Sequence, residues 1–288
     1  MPKVSIIVRS YNDKDFIAQT MRSIREQHFQ DFEIINVDSA STDGTYEIVQ
    51  KMNPDGIVYQ IPPGTYIPGK ALNEAIDKAS GEIIVFNNSD CIPQNKFWLE
   101  NLIKPLLENS DIIATFGNQL PRPDAFPVVR KDSERAFGDG TISAKWFHFF
   151  SLATSAIRAE IIRKYPFDPD IQYSEDIDWS YRMKKMGFRI EYVSDAIVEH
   201  SHNYTLSQLK KRFYGEGVAE GKIYKQHKHF FINFVKPFMI ELLRDAVYLN
   251  KHKELRHFKY AIIYRFWQKY SVYQGNRDYF RKARLGLK

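Results

Sequence analysis

Short runs of continuous apolar residues alternate along this chain with stretches in which apolar residues return every three or four positions. Ile83 to Phe86 has the length and continuous apolarity of a strand covered on both faces, Val4 to Arg9 reads as a buried strand, and Phe32 to Val37, Ile57 to Gln60 and Ile112 to Phe116 read as further strands. Between them, Ile17, Met21 and Ile24 mark a helix from about Lys14 to Gln27, and Trp98, Leu99, Leu102 and Leu106 mark another. A third helix is predicted from about Lys70 to Ala79, after Pro62-Pro63-Gly64 breaks the chain. Strand and helix alternating at this spacing predict a doubly wound, mostly parallel α/β sheet. The run from Ile83 stops abruptly in Asn87-Asn88-Ser89-Asp90. A parallel strand delivers the residues after it to the carboxyl edge of the sheet, where ligands of open α/β sheets bind. Alternation along an extended backbone sets Asn88 and Asp90 on one side, facing one ion or one diphosphate; the competing reading is a strand-ending turn.

The second half is less regular. Asn118 to Gly140 reads as a long loop with three prolines, and Phe147 to Ile157 as a strand or buried ribbon. A helix is expected near Ala159 to Lys164, another from Glu175 to about Met186, and a last strand over Arg189 to Val193. That strand leads to Ala196-Ile197-Val198-Glu199-His200-Ser201-His202. Beyond Leu206, aromatic and apolar residues recur among Lys and Arg, notably Phe230, Phe231, Phe234, Phe238, Tyr260, Tyr264 and Trp267. Three or four helices are predicted there, with breaks at Gly215 to Gly221 and at Lys251-His252-Lys253-Glu254.

Charge sharpens this division. Residues 205–288 hold 19 Lys and Arg against 6 Asp and Glu, whereas residues 1–204 hold 22 against 29. A domain over 1–204 and a basic, aromatic helical extension over 205–288 are therefore expected. The extension either packs as a helical appendage or meets an anionic membrane surface, as basic amphipathic helices with interfacial aromatics do. No nucleic-acid motif accompanies the charge, so nucleic-acid binding is not expected. No apolar run approaches the roughly 18 to 20 residues of a membrane span, and Met1-Pro2-Lys3 leads straight into a strand. With Cys91 as the single cysteine, a cytoplasmic protein is expected, peripheral on the inner face of the membrane if the extension binds lipid. Cys91 itself reads as a packing residue.

Polar groups gather at the strand ends: Tyr11-Asn12, Asp38 with Asp43, Asn88-Ser89-Asp90 and Glu175-Asp176, followed by His200 with His202. On one sheet edge such carboxylates repel unless a cation sits among them, and an oxygen-rich set with one or two imidazoles suits Mg or Mn better than zinc. In this setting Asp38-Ser39-Ala40-Ser41-Thr42-Asp43-Gly44-Thr45, Gly81 to Asp90, Glu175-Asp176 and Val198-Glu199-His200-Ser201-His202 resemble, in order, four motifs of the family 2 glycosyltransferases, which share the GT-A fold. The resemblance runs from Val4 to about Tyr204.

It implies an inverting transferase that moves one sugar from a nucleotide-diphosphate sugar to the hydroxyl of a sugar or lipid-linked acceptor, in cell-surface polysaccharide or glycolipid synthesis. Asp38 would hydrogen-bond the nucleotide base with Tyr11 packing beside it, and Ser89 and Lys70 would meet the donor. Asp90, with His200 and Asn88, would hold the divalent cation, Mn or Mg. Asp176 would be the general base, with Glu175 orienting the acceptor or supporting the base. A base at a helix N-terminus is expected to be ionised before the acceptor arrives. Two positions depart from the family pattern: Asn88 replaces the first Asp of the metal motif, and Arg9 stands where many members have Pro. Arg9, Asp38-Ser39 and Lys70-Ala71-Leu72-Asn73 resemble the branch of bacterial rhamnosyl- and related transferases. The processive Gln-x-x-Arg-Trp signature is absent, which implies single-sugar transfer. Asn88 also admits an alternative, a catalytically impaired nucleotide-sugar-binding protein of the same fold.

Overall fold

The computed structural model describes residues 2–286. The chain divides into two compact units. The first comprises Met1–Arg122, Ser133–Asp170 and Glu175–Ser201, and the second Pro123–Asp132, Ile171–Ser174 and His202–Lys288. The second unit thus takes in two segments from before residue 205.

In the first unit β1 (Val4–Ser10), α1 (Lys14–Arg25), β2 (Phe32–Asp38), α2 (Thr45–Met52), β3 (Ile57–Gln60), α3 (Pro68–Lys78) and β4 (Ile83–Asn88) follow in turn. There follow β5 (Ile92–Pro93), α4 (Trp98–Glu108), β6 (Ile112–Leu120), α5 (Pro127–Ala136), β7 (Thr154–Arg158), α6 (Ala159–Lys164), α7 (Glu175–Lys185) and β8 (Arg189–Glu199), with α5 as far as Asp132 belonging to the second unit. The strands form one sheet in the order β3-β2-β1-β4-β7-β6-β8-β5. β1 to β4 pair in parallel, as do β6 and β8, whereas β7 runs antiparallel to β4 and β6 and β5 antiparallel to β8. Alternating side chains feed two cores. Ile7, Ile35, Val37, Ile84 and Phe86 meet α3, α6 and α7 through residues such as Leu72, Ile76, Ile162 and Trp179. Val4, Ile6, Val8, Ile34 and Val85 meet α1 and α4 through Ile17, Met21, Ile24, Trp98 and Leu102. Helices thus cover both sheet faces, and both faces of the central strands carry mostly apolar residues.

Three expectations change. The stretch from Asn118 to Gly140 is not one loop: β6 continues to Leu120 and α5 occupies Pro127–Ala136, its proline at the first helical position and its charged residues masking a short buried face of Pro127, Val128 and Lys131. Of Phe147 to Ile157, only Thr154 onward is strand; Phe149 and Phe150 instead pack their rings edge-on against Phe116. β8 runs on past Val193 to Glu199, because a register shift between Gly117↔Val193 and Asn118↔Ile197 absorbs Ser194, Asp195 and Ala196 as a bulge.

The second unit holds α8 (Leu206–Tyr224), a π-helical turn (Phe230–Val235), α9 (Lys236–Lys251) and α10 (Phe258–Arg284). Thr205 and Gln208 form a reciprocal cap at the start of α8. The break near Lys251 is where α9 ends. The expected break at Gly215 to Gly221 is absent, since α8 runs through it. These glycines are small because the backbone and rings of neighbours come close: a Cβ at Gly217 would lie 2.1 Å from the Val272 carbonyl oxygen, and one at Gly275 the same distance from that of Tyr214. Val128, Leu209, Leu249, Ala261 and Tyr264 form the unit's core. Beside it Arg265 bonds Asp132 at 2.6 Å and Asp245 at 2.7 Å, while Lys131 pairs with Asp245 and Glu241.

Candidate active site

The parallel strands end together, so the turns after β1, β2 and β4 meet. At the end of β1, Asn12 adopts a left-handed conformation (φ 54°). Its backbone N–H donates to Ser41 Oγ at 2.9 Å and its Oδ1 accepts from the Thr42 N–H at 2.9 Å. Tyr11 is left 60% exposed at this junction, an aromatic face open to a planar ligand.

Asp38 closes β2 and is fully buried. Its Oδ1 accepts from the Ser41 N–H (2.8 Å) and Gln60 Nε2 (2.9 Å), and its Oδ2 from Ser10 Oγ (2.8 Å) and Ser41 Oγ (2.6 Å). Four donors fill the lone-pair directions of the carboxylate. Asp38 therefore folds the loop rather than offering an acceptor to a nucleotide base. Ser89 is likewise committed: its hydroxyl donates to Asp13 Oδ2, its N–H to the Arg9 carbonyl at 2.9 Å, and its own carbonyl accepts from Thr20 Oγ1 at 2.7 Å. The donor contact expected of Ser89 has no free hydroxyl proton here. Lys70 stands exposed in the first turn of α3.

Asp90, Cys91 and His200 bring one potential ligand atom each to within 4.8 Å of one another. The Asp90 Oδ2 and His200 Nε2 atoms are 3.5 Å apart. His200 Nδ1 lies 2.7 Å from Gln119 Oε1, a carbonyl that can only accept, so Nδ1 is the nitrogen that carries the proton when the ring is neutral, and Nε2 faces Asp90. That is the tautomer a metal-binding imidazole needs. Cys91 is wholly buried in the core, and burial, with the Asp90 charge next, pushes its thiol pKa well up. It packs there as expected, and the carboxylate oxygen of Asp90 and the imidazole nitrogen of His200 are a donor pair that could hold a divalent cation. Asn88 Oδ1 accepts from Arg9 Nη2 at 3.2 Å. The ring of His202 stacks on Tyr204 at 5.2 Å.

Two residues at the site escaped the sequence reading. Arg122, in Pro121-Arg122-Pro123 just past β6, donates Nη2 to the Asp90 carbonyl at 2.6 Å and Nη1 to the Ser201 carbonyl, with its guanidinium 3.9 Å over the Phe16 ring. It ties the segment carrying Asp90 to the one carrying His200. Asp13 adds a further carboxylate beside Ser89; burial pushes its pKa up, and the Asp90 charge adds to the rise. Only the Arg-Pro punctuation after a strand hinted at the first, and nothing in a helix-leading Asn-Asp pair hinted at the second.

Glu175 and Asp176 open α7. Asp176 Oδ1 accepts from the Ile177 N–H at 2.8 Å. Desolvation, and then the charge of Glu175, push the Asp176 carboxyl up to about 7, while Arg9 and backbone N–H groups oppose the rise. The helix terminus does not hold the carboxyl at its ordinary value, because the loss of water and the neighbouring carboxylate outweigh the terminal N–H groups. Glu175 is bonded by Arg9 Nη1 at 2.8 Å.

The profile of Glycosyl transferase family 2 matches residues 5–166, more than half of the chain. The O-antigen chain rhamnosyltransferase WbaN of Salmonella anatum is 30% identical over 235 residues, covering 76% of this chain and 72% of that protein. A GalNAc(5)-diNAcBac-PP-undecaprenol beta-1,3-glucosyltransferase of Campylobacter jejuni is 27% identical over 202 residues, 66% of this chain and 62% of its own. Among solved structures, mannosyltransferase PcManGT from Pyrobaculum calidifontis, in complex with GDP-Man and Mn2+, superimposes with a TM-score of 0.68 at 19% identity, covering 96% of this chain and 87% of its own. The fold is GT-A, and the chain belongs to glycosyltransferase family 2.

Proposed function

We propose that this glycosyltransferase moves a single sugar, with inversion, from a nucleotide-diphosphate sugar to the hydroxyl of a saccharide or lipid-linked acceptor, in the synthesis of a cell-surface polysaccharide or glycolipid. The observation that carries this is the pairing of the Asp90 carboxylate with the Nε2 face of the His200 imidazole, whose Nδ1 is held by Gln119, on the same unit as the Glu175-Asp176 pair. Asp90 and His200 would hold the divalent cation, which when bound neutralises charge growing on the departing diphosphate. Tyr11 offers its exposed ring to the nucleotide base, and exposed Lys70 is a candidate partner for the diphosphate. Asp176 takes the acceptor proton as the hydroxyl oxygen attacks the anomeric carbon. The bond to the diphosphate breaks with its electron pair, and the new glycosidic bond forms on the opposite face.

The rhamnosyltransferase and undecaprenol-linked relatives support a bacterial envelope substrate. The second unit supports work at an anionic membrane surface. Phe231, Ile232, Met239, Leu243 and Val247 are each more than half exposed along the π-helical turn and α9. Glu241, Asp245 and Glu254 are all paired with internal cations, so the charge left over at Lys236, Lys251, Lys253 and Lys259 is positive. No helix among the described residues is long and apolar enough to cross a membrane; the exposed apolar stripe and the positive charge beside it support peripheral attachment to an anionic surface.

Asp176→Asn tests the mechanism. Turnover should fall by roughly 10²- to 10⁴-fold, as for a lost general base, with donor affinity by calorimetry unchanged. Near-normal transfer would remove the base assignment. A wild-type protein that binds nucleotide sugars and transfers none, with any acceptor tried, would favour the impaired binding protein instead.

A further inference from the structure

The two departures from the family pattern, Arg9 and Asn88, are one feature. β1 and β4 are adjacent and parallel, and Arg9 and Asn88 are direct partners in their register. The Arg9 guanidinium forks across the strand ends: Nη2 donates to Asn88 Oδ1 at 3.2 Å, and Nη1 donates to Glu175 Oε1 at 2.8 Å and Tyr66 Oη at 3.1 Å. The side chain is 20% exposed and that of Glu175 10%, so the pair is largely out of water. We infer that Arg9 is a positioning residue that couples the metal-motif strand to the Glu175-Asp176 pair, and that position 88 is a neutral amide so that the Arg9 charge stays committed to Glu175. The inference rests on Asp176 being the base.

The physical argument is a competition for one cation. Two adjacent, poorly solvated carboxylates cannot both stay ionised without a nearby positive charge. Arg9 supplies it, and its planar fork also fixes where the Glu175 carboxylate points. An aspartate at 88 would stand in direct register with Arg9 and bind it bidentately, a stronger bond than the amide makes. Glu175 would then share the guanidinium charge with a second carboxylate, which draws Nη1 away from it and favours a proton on the residue meant to accept one. An extra acidic ligand in the metal motif would thus weaken the base.

Steady-state kinetics and unfolding of Arg9→Gln, Arg9→Lys, Asn88→Asp and the Arg9→Gln/Asn88→Asp double variant test this. Arg9→Gln should lower kcat by roughly 10- to 100-fold, the cost of a misplaced group, while donor KM and calorimetric donor affinity hold. Arg9→Lys, which keeps the charge and loses the fork, should recover part of the loss. Asn88→Asp should lower kcat although it adds a carboxylate, and should lower it no further once Arg9 is Gln. In metal-free protein, Asn88→Asp should raise the melting temperature with Arg9 present and lower it in the Arg9→Gln background. Wild-type turnover by Asn88→Asp, additive losses in the double variant, or the same melting shift in both backgrounds would overturn the inference. If Arg9→Gln does not fold, Arg9→Lys and Asn88→Asp alone decide it. The metal-free arm is independent of activity, so its failure is separable from a failure of the base assignment, which Asp176→Asn reports.

Discussion

Residues that look alike in the sequence do different work here according to who their neighbours are. Asp38, Asp90 and Asp176 each stand at the end or start of a regular element, yet the first is saturated by four donors, the second faces an imidazole, and the third is crowded by Glu175. The crowding has a pH consequence. With its carboxyl raised to about 7, Asp176 is protonated below that value and gains its basic form only above it, so kcat should rise with pH through an ascending limb centred near 7. The stability sign runs the same way: a carboxyl raised above its unfolded value of 3.8 favours the fold at low pH and loses that contribution as pH climbs through about 7. Asp176→Asn should therefore gain melting temperature relative to wild type between pH 5 and pH 8.5, and a flat difference across that range would count against the shift. Gln119 offers a second check at this scale. Because its carbonyl fixes the His200 tautomer, Gln119→Leu should weaken Mn affinity by roughly 10- to 100-fold without unfolding the protein, read by metal titration.

Elements were most legible where one face or both faces of a regular period are apolar. β3 and α6 match the predicted ranges, and α1, β4 and α7 differ by a residue or two; in α1, β4, α6 and α7 the buried residues recur at the spacing the sequence carries. Prediction failed where a residue type has two meanings. Glycine in α8 reads as a breaker, yet Gly217 and Gly275 let α8 and α10 approach to backbone contact. Gly217→Val should then cost about 1 to 3 kcal/mol through overpacking, measured by denaturant unfolding, whereas a true helix break would gain from losing the glycine. The bulge in β8 and the helix α5 were missed for a similar reason: Ser194-Asp195 and the prolines around Arg122 are turn residues by local preference, and the pairing with β6 and the buried face of α5 override it.

At the scale of the whole molecule, the basic extension is not a freestanding tail. Its helices share a core with Val128 and Phe126 and an ionic cluster with Lys131 and Asp132, none of which belongs to the last 84 residues by sequence. The outward stripe of α9 is the part left without a partner in this unit. Intact protein should bind anionic vesicles and release them as salt rises, and Leu243→Asp with Val247→Asp should reduce that binding without loss of fold, since both side chains are exposed. No vesicle binding by the intact protein would confine the stripe to another role. The sequence by itself determined the family, the alternation that builds a doubly wound sheet, the order of the four motifs and the asymmetry of charge, because each of these is carried by residue type and spacing along the chain. Tertiary structure alone decided which polar groups are committed inside the protein and which remain for chemistry. Whether Asp38 or Ser89 has a lone pair or proton to give, whether Asp176 is charged, and whom Arg9 serves all depend on hydrogen bonds and burial between residues far apart in sequence. Those energies fall off within a few ångströms, and only the fold sets which groups come that close.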